Sequence, residues 1–93
     1  MNTISTFLVV QVLQTSARSV VICERQDDIE FNFDSGMMLG GISVKDMGMP
    51  RILDEDGNPR LNCLAFSLTK EEDSIYFKKG ALVELAYNNE TNI

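Results

Sequence analysis

The sequence predicts an all-β fold: a small antiparallel barrel of six or seven strands, closed or partly open, with one short helical turn near 69–75. Three observations carry this. Turn-forming residues recur every ~8–12 positions along the chain. Between them lie short runs rich in β-branched and aromatic residues. The early runs are apolar on both faces, which suits strands enclosed by barrel or sandwich walls.

The elements follow in order. Thr6–Gln14 and Arg18–Glu24 read as a hairpin joined by a polar turn at Thr15–Ala17. Leu8, Val10 and Val12 line one side of the first strand, with Phe7, Val9 and Leu13 on the other. Gln26–Asp28 is a turn. Ile29–Phe33 then alternates strictly, with Ile29, Phe31 and Phe33 opposite Glu30 and Asn32, and predicts a strand with one wet face. Asp34-Ser35-Gly36 is another turn. In Met37–Val44 the pair Gly40-Gly41 predicts a bulge or sharp bend. Asp46–Pro50 breaks the pattern and predicts a loop. Arg51–Leu53 and Leu61–Leu68 read as strands around Asp54–Pro59, where Gly57 can take positive φ. Thr69 and Glu72 have capping-box spacing and predict a helical start. Ala81–Tyr87 is the last strand, and Asn88–Ile93 should fray.

The 93 residues make one domain, 1–93, well within the roughly 50–250 residues of a typical domain. The net charge of −6 and only eight Lys and Arg residues argue against free nucleic acid, whose binding rests on clustered cations. The longest apolar run, Phe7–Leu13, contains Gln11 and falls short of the ~20 residues of a membrane span. With no basic leader at the start, the expected location is cytoplasmic. Cys23 and Cys63 both lie in apolar runs and read as buried, reduced thiols. A disulfide would require neighbouring strands with suitable geometry.

Catalytic chemistry finds little footing. The chain has no histidine, the commonest general base and metal ligand. The acidic groups at Asp27-Asp28, Asp54–Asp56 and Glu71–Asp73 sit in turns and at a helix start, where acids cap and solubilise. The DEDGN run of 54–58 lacks a calcium loop's closing Glu, because Ala65 stands in the twelfth position. Nucleotide-cradling glycine motifs are absent. The expectation is therefore no catalytic residues, no cofactor and no metal.

Met37, Met38, Met47 and Met49 are interleaved with Gly36, Gly40, Gly41 and Gly48. They suit either an adaptable apolar surface for a partner or gap-filling at the end of a barrel.

Two stretches resemble the β-barrel domain II of translational GTPases such as elongation factor Tu. FLVVQVLQTSARSVVICER is similar to that family's first strand, turn and second strand, with Arg18, Val21, Ile22 and Arg25 in register. TKEEDSIYFKKGALVEL is similar in its order of acidic helical turn, basic residue, glycine and final apolar strand. Ala17, Ser19 and Glu24 stand where the family has glycines. The resemblance implies a small closed barrel of the translation-protein type.

Two functions are expected from these readings. The first is a non-enzymatic acidic binding module that engages a protein partner through the methionine segment. The alternative is a translation-associated barrel contacting ribosome or RNA through Arg18, Arg25, Lys78 and Lys79. The chain is expected to act as a monomer, or as a dimer through an open sheet edge.

Overall fold

The apolar runs at the start of the chain form the hairpin that the sequence predicts. The computed structural model describes residues 3–15, 17–34, 36–50, 55–58 and 62–87. β1 (Thr3–Gln14) and β2 (Ser19–Arg25) pair antiparallel. Thr15 organises the turn between them. Its hydroxyl accepts the N–H groups of Ala17 at 3.2 Å and Arg18 at 3.1 Å, while its own N–H donates to the Arg18 carbonyl at 2.9 Å. A side chain that satisfies turn amides in this way is why Thr is favoured there.

Four more strands follow: β3 (Met37–Leu39), β4 (Ile42–Gly48), β5 (Cys63–Leu68) and β6 (Leu82–Tyr87). A single 3-10 turn, Glu71–Tyr76, separates the last two. The strands close into one antiparallel barrel in the order β1-β2-β5-β4-β3-β6. Closure depends on the glycine pair. Gly40 and Gly41 have φ of 59° and 82°, the two left-handed residues that a two-residue hairpin turn matching strand twist requires. The expected bend is thus a tight turn, and it lets β3 bridge β4 and β6. The open edge through which two copies were expected to pair is taken up by this bridge.

Two connections cross the barrel ends. The 3-10 turn runs beneath one end, where Phe77 is buried in the core. Residues 26–34 run over the other as a lid. The strand expected at Ile29–Phe33 is not formed. Its alternation holds for four of the five residues: Phe31 and Phe33 pack against the core, and Glu30 and Asn32 are exposed. Ile29, expected on the inward face, is 48% exposed because the lid only reaches the core further on. A strand also needs a neighbour with free backbone groups, and the six barrel strands pair with one another. The lid is held by side chains instead.

Other expectations shift at the boundaries. Asp46–Gly48 continues β4 instead of looping, because it pairs with Ser67, Phe66 and Ala65 of β5. Thr69 does not cap the helical turn: Lys70 occupies the cap position without a side-chain bond, and Thr69 Oγ1 lies 3.0 Å from Ser43 Oγ. Gly57 has the expected positive φ, at 82°. The strand expected at 51–53 and the frayed end at 88–93 lie outside the described residues.

The core is a continuous cluster that includes Phe7, Val9, Val21, Leu39, Phe66 and Leu85. Phe7 and Phe66 meet edge to face at 5.2 Å, the arrangement that ring quadrupoles favour. Among the described residues no helix is long and apolar enough to cross a membrane.

Candidate functional site

Two β-bulges re-aim the outer surface of the barrel. In β1 the register slips between Val9 and Gln11, and in β4 between Val44 and Asp46. Strict alternation would put Leu13 on the side of Phe7 and Val9, as the sequence reading had it. After the bulge Val12 turns toward the core and Leu13 faces outward, 41% exposed. In β4 the slip likewise leaves Val44 and Met47 directed inward and Asp46 and Gly48 outward. Bulges commonly serve to redirect side chains in this way.

The result is an ordered outer face across four strands. One row runs Leu13–Val20–Ser67–Asp46, and the next runs Gln11–Ile22–Ala65–Gly48. With strands ~4.8 Å apart, each row spans about 14 Å. Small residues occupy the β5 and β4 side of the second row, so the surface sinks there into a groove of about 450 Å³. Val20, Ile22 and Ala65 make its floor. Leu13 walls one side, and Met49, 63% exposed, with Pro50 walls the other. Arg18 and Asp46 supply charge at its rim.

Gly48 has a distinctive place in this groove. Its φ is not positive, so no left-handed backbone demands glycine. A Cβ added there would meet nothing within 4 Å. Glycine within a strand costs stability, and one reason to find it is close approach by another molecule.

The lid end carries two further cavities, of about 470 and 590 Å³, both lined by Arg25 and Glu30. Two of the charged groups there, Asp27 and Arg25, hold the lid. Asp27 accepts hydrogen bonds from Ser5 Oγ at 2.7 Å, Thr6 N at 3.1 Å and Ile29 N at 3.2 Å. The Ser5 bond, followed by the Thr6 amide, holds the Asp27 carboxyl below its ordinary 3.8. Arg25 donates to the Ile29 carbonyl and lies over the Phe31 ring at 5.7 Å. Its Nε is buried and has no hydrogen-bond partner among the described residues. Phe31 in turn meets Phe7 edge to face at 6.3 Å.

The expected site residues are dispersed. Met37 is buried in the core, and Met47 is half-buried and packs against it. They fill space, the second of the two readings of this segment. Met38 is half-buried, and Met49 alone of the four lies on the groove. The cations are no more gathered. Arg18 and Arg25 flank the two ends of β2, about 23 Å apart at ~3.3 Å per residue. Arg25 is engaged by the lid, while Lys78 and Lys79 are exposed between the 3-10 turn and β6. Both cysteines are buried and they are not joined in a disulfide. Burial, with a smaller effect of Cys63, pushes the Cys23 thiol up to about 12. Among the described residues no group of three or more Cys, Asp or Glu is placed to hold a metal ion.

The groove residues on β1, β2 and β5 were read from the sequence only as core strands. The sequence places Gly48 and Met49 in a loop, with Met49 among the expected partner contacts. The available signal was the two-faced apolarity of the hairpin, which leaves Leu13, Val20 and Ile22 for the outer face. No protein-family model, curated protein or solved structure matches the chain.

Proposed function

We propose that this barrel is a non-enzymatic binding module that engages a protein partner through the outer face of β1, β2, β5 and β4. The observation that carries the proposal is the groove itself. It has an apolar floor, exposed Leu13 and Met49 on opposite walls, and a strand glycine whose conformation does not call for glycine. Apolar concavities edged by a few polar groups are the usual form of recognition sites. Adaptable methionine on a rim suits contact with a protein surface. The chain's lack of histidine and the commitment of Asp27 and Arg25 to the lid favour binding over catalysis. The separation of Arg18 from Arg25 likewise favours a protein over RNA.

The test pairs Leu13→Ser with Met49→Ser. Both side chains are exposed, so the double variant should melt close to the parent. Immobilised parent chain should retain a protein from lysate, in the presence of nuclease, that the variant does not. Equal retention by both chains would refute this surface.

A further inference from the structure

The charges at the two ends of the groove indicate what kind of segment it takes. Arg18 stands in the hairpin turn, its backbone amide and carbonyl tied to Thr15 and its side chain exposed. Asp46 stands across β2 and β5 from it, at the end of the Leu13–Val20–Ser67 row. Its Oδ1 accepts the Met47 N–H at 2.8 Å, and the side chain is exposed. Two strand spacings across and two residues along place their backbones about 12 Å apart. Val20 and Ser67 lie between them, and the Ile22–Ala65–Gly48 row lies one step further from Arg18, beside and beyond Asp46.

We infer that the groove binds an extended peptide segment of a partner, carrying an acidic and a basic residue about four positions apart and one large apolar side chain beside the basic one. The acidic residue faces Arg18 and the basic residue faces Asp46. The apolar side chain lies over Ala65 and the space left by Gly48. About 12 Å corresponds to about four residues of extended chain at ~3.3 Å each. A helix, ~10–12 Å across with its side chains, would take up nearly the whole width between the Leu13 and Asp46 backbones before the wall side chains are counted. An extended segment fits between them. The contact is through side chains on a sheet face. It is distinct from strand addition at an edge, which barrel closure leaves little room for. This inference rests on the protein-binding reading above and specifies its ligand.

The experiment is selection from a random twelve-residue peptide display library on the full chain, on Arg18→Glu and on Asp46→Arg. The best peptide from each selection is then titrated into labelled protein, with amide shifts followed at Val20, Ile22, Gly48 and Ala65. The parent should select an acid and a base about four positions apart with an apolar residue beside the base, with shifts centred on those four amides. Arg18→Glu makes both ends negative and should select two bases. Asp46→Arg should select two acids. Each mismatched charge should weaken a given peptide by about two- to fivefold, the effect of an exposed ion pair. Peptides that shift the four amides but are selected alike by all three chains would overturn the charge reading and leave the binding surface standing. Selections without a groove binder, or shifts centred elsewhere, would overturn both. Concentration-dependent shifts at the same amides without peptide would assign the groove to a second copy of the chain and overturn the inference.

Discussion

Gly48→Val separates the two reasons a glycine can occupy a strand. If Gly48 serves only the fold, a side chain there should be harmful or neutral for everything the protein does. If it serves binding, the fold should gain while the ligand is lost. The added Cβ meets nothing within 4 Å, and the backbone is not left-handed. Replacing such a glycine removes freedom from the unfolded chain and should stabilise by about 0.5–1 kcal/mol. For a domain of this size 1 kcal/mol moves the midpoint by roughly 4–8 °C, so the melting temperature should rise by about 2–8 °C. The valine methyls would occupy the space beside Ala65. Excluding one apolar side chain of the ligand forfeits about 1.5–3 kcal/mol, or roughly ten- to hundredfold in affinity. Thermal melts by circular dichroism and titration with a selected peptide or the captured partner read both effects, with Gly48→Ala as a milder step. Unchanged binding by Gly48→Val would refute the groove as the site. A fall in melting temperature would refute the argument that the position is open.

Three other outcomes test the fold. Phe31→Ala removes an edge-to-face contact with Phe7, the Arg25 contact and partial burial. Together these come to about 2–3 kcal/mol, measurable in urea, and hydrogen exchange should quicken across 26–34 first. Equal loss of protection throughout would mean the lid is not a separate unit. Gly41→Ala should cost about 1–2 kcal/mol for its left-handed backbone alone. Gly40→Ala should cost no more than that, since its φ of 59° is nearer the left-handed minimum and its Cβ would meet Val83 Cγ1 at 3.4 Å and Phe77 Cε1 at 3.9 Å, ordinary contact distances; a clearly larger loss would count against the packing at this end. Asp27 is held below its ordinary value in the folded chain. Its contribution is therefore fully present above the unfolded value and is lost as pH falls through the lower, folded one. Parent and Asp27→Asn should differ in stability at neutral pH and converge in acid; a gap that persists in acid would show that the clasp does not depend on the charge.

Local chemistry determined much of this protein. The β-branched runs, the Thr15 turn, the positive φ of Gly57 and the all-β class follow from steric preferences and turn geometry that act over a few residues. The alternation at 29–33 shows which way Phe31 and Phe33 face but not that Ile29 of the same series stays exposed, because burial also needs a place over the core, which the path of the lid decides. Whether that segment pairs as a strand depends on backbone partners far away in sequence, and only closure of the six-strand ladder decided it. The same holds for the methionines: Met37 and Met47 are inside and Met49 outside because of where β3 and β4 join the barrel. The groove was least legible of all. It depends on two single-residue slips, in β1 and β4, that no period-two pattern records. Each slip turns every following side chain to the other face, and only the register between distant strands shows where it falls.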